Sequence, residues 1–159
     1  MKAFSGLRDF IEELNRRGDL ISVPHPLDTR YEISAVLSEM GKKEAPAILF
    51  ERVKGHRLPV VGNLLGTRKR LSLALGIDPE KLFEEFPKRM EKRLSPILIR
   101  DSSPRTVFKK GIDLAILLPV LTHYAGDSGP YITSGFSSAR DPETGVIGRG
   151  LHRMEVRGK

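Results

Sequence analysis

The chain has no cysteine among its 159 residues. Disulfide staples and thiolate nucleophiles are therefore excluded, and a metal site would have to use oxygen or imidazole ligands. Long apolar runs are missing too. A membrane helix needs about 20 consecutive apolar residues, whereas the longest run, Leu114 to Leu121, has eight and contains Pro119. The N-terminus carries no apolar signal-peptide core. The expectation is a cytoplasmic chain with no membrane span. Internal repeats and low-complexity segments are also absent. What remains is an ordinary folding composition: 39% hydrophobic and 30% charged residues, in a length typical of one domain and able to bury a core.

The net charge is +7, and most of it sits in one place. Residues 88–110 hold eight Lys or Arg against two Asp or Glu, while the segments on either side are near balance. Such a run suits an anion, either a nucleic acid or a phosphate-bearing ligand. It equally suits a solvated helix face. Phe108 is its one aromatic, so base stacking has little support. No sequence-specific nucleic-acid partner is expected.

Read in order, the first part alternates helix and strand. Ser5 can cap a helix carrying Leu7, Phe10, Ile11 and Leu14 at helical spacing, with Gly18 as its stop. Asp19 to Val23 reads as a strand, followed by His25 in a loop between two prolines. Thr29-x-x-Glu32 has capping-box spacing. Ile33, Val36, Leu37 and Met40 then recur as one helical face ending at Gly41. Ala47–Phe50 and Leu58–Val61 suit two strands that pair as a hairpin. Thr67 can cap a helix through Leu75, with Gly76 as its stop. Gly62 to Arg70 does not match the phosphate-loop pattern. Asp78-Pro79 opens another helix with Leu82, Phe83 and Phe86 on one face. Pro96 to Ile99 suits a strand and Asp101 to Arg105 a loop. Leu114 to Leu121 suits either a buried extended connector or a broken helix.

After residue 121 the pattern changes to strands only. Tyr131 to Arg140 and Val146 to Val156 are strand-like, and Asp-Pro-Glu-Thr-Gly at 141–145 between them has turn chemistry. This is a hairpin with a polar, glycine-rich lead-in, Tyr124 to Pro130. Three pieces of it form an ordered pattern: Asp127-x-Gly129-Pro130-Tyr131-Ile132-Thr133, then Arg140-Asp141-Pro142-x-Thr144-Gly145, then Gly150-Leu151-x-Arg153. In this pattern the chain resembles the UbiD family of decarboxylases. Leu7-Arg8-Asp9-Phe10-Ile11 and Gly18-Asp19-Leu20 resemble the family's opening. The resemblance covers essentially the whole chain but only the front part of the family's length.

The resemblance implies a fold, a cofactor and a site. The fold is an α/β (α+β) N-terminal domain, residues 1–121, followed by the first hairpin of a split β-barrel flavin-binding domain, residues 122–159. The cofactor is prenylated FMN, held in the family with a divalent metal, manganese. Decarboxylation leaves a carbanion, and the prenylated flavin is the electron sink it requires. The substrate is a small carboxylic acid, aromatic or α,β-unsaturated. Leu151, His152 and Arg153 occupy the part of the pattern that contacts the cofactor, and Arg153 takes the catalytic role. Strand alternation puts Leu151, Arg153 and Glu155 on one face and His152 and Met154 on the other. His152 would then contribute mainly backbone. Without the resemblance, Arg153 reads as a solvent-exposed arginine on a polar hairpin.

One position departs from the family. The usual asparagine metal ligand, two residues before the glycine of the last motif, is Gly148 here. The later carboxylate ligand and the catalytic acid of the family fall beyond Lys159. No metal ligand is assigned, although His123 and His152 offer imidazoles, and Asp127 is expected to brace the glycine-rich lead-in. The chain is expected to be a front fragment or subunit, inactive by itself. Its last strand would be covered by self-association or by a partner chain supplying the remaining family sequence. The second reading is a non-catalytic binding or oligomerisation module that keeps the family fold.

Overall fold

A computed structural model describes residues 4–92, 94, 95, 97 and 110–157. Its centre is a three-stranded sheet of β1 (Leu20–Val23), β2 (Ala47–Phe50) and β3 (Val60–Gly62), in that spatial order. β1 and β2 run parallel, with Leu20 opposite Ala47 and Val23 opposite Phe50. A parallel pair needs a crossover, and α2 (Glu32–Gly41) supplies it. β2 and β3 are antiparallel, with Ile48 opposite Gly62, as the expected hairpin requires.

β2 is apolar throughout because both of its faces are covered. Ile48 and Phe50 pack with Ile33 and Val53, joined by Val36, Leu37 and Met40 of α2. Ala47 faces the other way, onto Phe10 and Leu14 of α1 (Leu7–Arg16) and Leu73 and Ala74 of α3 (Arg68–Leu75). Leu14, Ile33, Ile48 and Phe50 are fully buried, and each contributes on the order of 2 kcal/mol through the area it removes from water.

α3 has the expected ends. The Thr67 hydroxyl accepts the Arg70 N–H at 3.2 Å, and Gly76 closes the helix with φ +62°. Asp78 accepts the Glu80 N–H ahead of the 3-10 turn Pro79–Lys81, which leads into α4 (Leu82–Glu91) with Pro87 inside it.

Three local expectations are corrected. Ser5 does not cap α1: Gly6 is the cap residue, and the Ser5 N–H and hydroxyl both donate to the Asp9 carboxylate. Thr29 and Glu32 do not form a capping box, because the chain makes a γ-turn between them. Tyr31 sits at φ 71°, ψ −35°, with the Glu32 N–H donating to Arg30 O at 3.0 Å. The Glu32 carboxylate instead accepts the Asp28 N–H at 2.7 Å. Of the expected apolar face on α4, Leu82 is buried but Phe83 and Phe86 are exposed. The Arg68 guanidinium lies 4.8 Å from the centroid of the Phe83 ring and shares that surface.

Leu114 to Leu121 is a broken helix. α5 (Leu114–Leu117) is capped by Asp113, and the chain turns extended at Leu118 ahead of Pro119. The proposed strand at 96–99 and loop at 101–105 lie largely outside the described residues. The hairpin consists of β4 (Tyr131–Arg140) and β5 (Ile147–Glu155), antiparallel, with Arg140 opposite Ile147. Asp141 shapes the turn: its carboxylate accepts the Glu143 and Thr144 N–H groups at 2.8 and 2.9 Å. Those two bonds hold its pKa below the ordinary aspartate value.

Candidate functional site

The hairpin is not regular. Ile132 pairs with Met154 and Gly135 with His152, so β4 spends two residues, Thr133 and Ser134, against the single Arg153 of β5. This is a one-residue bulge. Directly opposed residues of an antiparallel pair share a face. Tyr131 is opposite Glu155, and Phe136 is opposite Leu151. The bulge therefore puts Tyr131 and Phe136, five residues apart, on one face with Leu151, Arg153 and Glu155. Ile132, His152 and Met154 occupy the other. His152 lies against Gly150, where a Cβ would come 2.9 Å from its Nε2.

Arg153 is held on two sides. Its guanidinium lies 3.8 Å from the centroid of the Tyr131 ring, and Nη2 donates to Asp127 Oδ1 at 3.2 Å. Among the described residues this is the guanidinium's one hydrogen bond, and the side chain stays 57% exposed. The other carboxylate oxygen of Asp127 accepts the Tyr124 N–H at 3.0 Å, and the Asp127 N–H donates to Tyr124 O at 3.0 Å. Asp127 thus braces the lead-in, as expected, and also ties it to Arg153. The Tyr131 and Ser128 hydroxyls are 2.6 Å apart. Glu155 accepts from Arg157 Nε at 2.8 Å. That bond, then Ser128 and then the charges of Arg157 and Arg153, holds its pKa below the ordinary glutamate value.

Around this cation the face is apolar and open. Leu151 is 76% exposed and Phe136 66%. A guanidinium with free donors beside two open apolar side chains suits a flat conjugated ring that carries carbonyl or carboxylate oxygens. The same hairpin does not suit a metal. Gly148 offers no ligand, and among the described residues no three His, Asp or Glu side chains cluster as a metal site. His152 faces away from Arg153, and His123 lies beside Tyr124 in the lead-in. Alternation along β5 by itself groups Leu151, Arg153 and Glu155. Tyr131 and Phe136 were missed as their neighbours because nothing in the local sequence marks the bulge.

The basic run is only partly described. Within it, Lys88 pairs with Glu84 and Glu85, and the Arg89 guanidinium donates to the Leu75 and Gly76 carbonyls at the end of α3. These two cations serve the α/β unit itself. Among the described residues no helix is long and apolar enough to cross a membrane.

Comparison with known proteins agrees with this architecture. The family model for the 3-octaprenyl-4-hydroxybenzoate carboxy-lyase N-terminal domain matches residues 11–90, and that for the carboxy-lyase Rift-related domain matches residues 99–159. The chain belongs to the UbiD family of carboxy-lyases. An uncharacterized protein of Aquifex aeolicus (strain VF5) is 31% identical over 176 residues, which cover 96% of this chain and 36% of that protein. Among solved structures, the UbiD-class enzyme HmfF of Pelotomaculum thermopropionicum in complex with FMN is 36% identical, with a TM-score of 0.82 over 95% of this chain and 34% of its own. An evolved dimeric form of HmfF in complex with prFMN is 35% identical, with a TM-score of 0.80 over 95% of this chain and 36% of its own. The closed form of vanillic acid decarboxylase from Sedimentibacter hydroxybenzoicus is 29% identical, with a TM-score of 0.86 over 99% of this chain and 36% of its own. The chain thus spans about a third of the length of these relatives.

Proposed function

We propose that this chain is the N-terminal part of a non-oxidative decarboxylase of aromatic or α,β-unsaturated acids, working in the cytoplasm with prenylated FMN. The observation that carries this reading is the open face of the hairpin, where Arg153 projects beside Leu151 and Phe136. The flavin complexes of the HmfF relatives support the choice of ligand. When bound, the prenylated flavin would supply the electron sink that decarboxylation requires. Leu151 and Phe136 would cover an apolar ring surface and keep water from it. Arg153 would hold a ligand oxygen with its fork while Asp127 and Tyr131 fix its orientation. His152 would contribute through its backbone. Residues 1–121 would form the supporting α/β domain and residues 122–159 the start of a cofactor-binding β-barrel.

The residues present do not fit manganese, because Gly148 has no donor and no cluster replaces it among the described residues. Metal ligands and the proton donor would come from the remaining family sequence. The test is carbon dioxide release from a panel of unsaturated and aromatic acids. We expect none from the 159-residue polypeptide with prenylated FMN and manganese, and turnover once the remaining family length is supplied. Turnover by the 159 residues alone would sink the incompleteness argument, and an inactive assembled protein would sink the enzyme reading.

A second reading is a non-catalytic binding or oligomerisation module. It is favoured by the exposure of Phe136, Val146 and Leu151 on the hairpin, which suits contact with another chain.

A further inference from the structure

The hairpin hangs from the α/β unit by the strap of residues 121–127, and the seam between them is specific. The Thr122 N–H donates to Thr29 O at 3.1 Å, the Tyr31 N–H donates to Thr122 O at 3.1 Å, and the Tyr131 N–H donates to Leu121 O at 3.1 Å. One side chain enters this seam from α2. The Ser34 hydroxyl, in a residue only 7% exposed, lies 3.0 Å from Tyr31 O, 3.3 Å from Thr122 O and 3.2 Å from His123 O. Its one proton goes to one of these carbonyls at a time or is shared among them, and two of the three, Thr122 O and His123 O, belong to the strap.

The backbone at this point is also strained. Tyr31 is a non-glycine residue in a γ-turn with positive φ, a conformation that persists only where its surroundings hold it. Its N–H and C=O are both committed, to Thr122 O and to the Ala35 N–H. Downstream, the strap and the strand it leads into, β4, carry the two groups that hold Arg153. Asp127 takes the Tyr124 N–H with one oxygen and Arg153 Nη2 with the other, and Tyr131 stacks under the guanidinium. A continuous bonded route therefore runs from Ser34 through residues 122–124 and Asp127 to Arg153.

We propose that Ser34 is a positioning residue: its hydroxyl locks the strap onto the strained start of α2 and thereby fixes where Arg153 points. This rests on the reading of Arg153 as the ligand-facing cation, but it is tested without ligand. A guanidinium stacked on a tyrosine ring has its side-chain protons shifted upfield by the ring current. In nuclear magnetic resonance spectra of the full 159-residue chain, the Arg153 δ-protons should show this shift in the wild type and in Ser34→Thr, which restores the hydroxyl. They should move to the free-arginine position in Ser34→Ala, with the α/β unit still folded by circular dichroism. Should Ser34→Ala not fold, Ser34→Cys, of similar shape but with a weaker donor, should give a partial loss. Unchanged Arg153 shifts in whichever of Ala or Cys folds, or loss of the shift in Ser34→Thr as well, would overturn the proposal. Failure of both Ala and Cys to fold would overturn it too, since the hydroxyl would then be holding the fold rather than aiming Arg153. A separate flavin titration of Arg153→Ala in the assembled protein addresses the role of Arg153 itself, so the two ideas fail independently.

Discussion

Arg153 on β5 and Tyr131 on β4 stack across the hairpin, with the guanidinium carbon 3.8 Å from the ring centroid. The contact sets one face of an exposed cation whose one hydrogen bond among the described residues goes to Asp127. In the protein completed with the rest of the family length, Arg153→Ala is expected to abolish turnover. Arg153→Lys should fail as well, since an ammonium cannot reproduce a planar fork. Tyr131→Phe should keep the stack, while Tyr131→Leu should weaken substrate or cofactor affinity by about fivefold, the equivalent of about 1 kcal/mol for a partly exposed cation–π contact. Steady-state kinetics and flavin titration check each step. Full activity of Arg153→Ala would remove the site assignment and leave family membership intact.

Asp19 is expected to matter for stability rather than chemistry. Arg70 is 2% exposed and donates to Asp19 Oδ1 at 2.8 Å and to Ala45 O at 2.9 Å. Removing the carboxylate leaves a buried guanidinium without its counter-charge. Asp19→Ala should therefore cost about 3 kcal/mol, with Asp19→Asn less severe because an acceptor remains. Urea denaturation of the three proteins checks the order. A midpoint for Asp19→Ala equal to wild type would show that solvent reaches the pair freely.

Glu13 gives α1 an acid-sensitive term. Hydrogen bonds from Arg16, then Arg17, depress its pKa to about 2. A depressed carboxylate contributes stability above its ordinary value of 4.5, and the contribution is lost as pH falls through the folded value. The melting temperature of wild type should exceed that of Glu13→Gln at pH 7. The gap should close progressively below pH 4.5 and be gone near pH 2. A gap independent of pH would mean that the variant acts through packing.

Gly148 should tolerate a side chain. Its φ is not in the left-handed region, and a Cβ built there meets nothing closer than Ala139 O at 4.0 Å. Gly148→Asn, which supplies the side chain expected there from the family resemblance, should fold with an unchanged melting temperature. Gly135→Val is the contrasting case, because a Cβ there would come 2.2 Å from Met154 Cε and 3.0 Å from the His152 carbonyl. That variant should disturb the hairpin. Thermal melts and amide spectra distinguish the two.

The 159-residue polypeptide is expected to self-associate, because the hairpin exposes both apolar side chains and strand edges. Light scattering across a concentration series measures this. A monomer at every concentration would count against an association surface on the hairpin.

Much of the fold is written locally. The helical spacing of Ile33, Val36, Leu37 and Met40, the apolar Ala47–Phe50, the Thr67 and Gly76 ends of α3 and the Asp141–Gly145 turn each carry their own signal. The signal of each lies in adjacent residues, so periodicity and turn chemistry expose them even though strand pairing and packing stabilise them. The family pattern also singled out Leu151 and Arg153, and alternation along one strand placed both on one face.

What joins distant segments was not legible. The bulge at Thr133–Ser134 is decided by pairing between β4 and β5, and it alone brings Phe136 onto the face of Tyr131 and Arg153. The γ-turn at Tyr31 replaced a plausible capping box because Thr29 and Tyr31 bond to Thr122, roughly ninety residues away. Ser34 reads as an ordinary helix residue until residues 122 and 123 arrive beside it. The sequence by itself determined the elements, the family and the cation at position 153. The tertiary structure decided which groups surround that cation, because strand register and long-range hydrogen bonds depend on partners that no local pattern encodes.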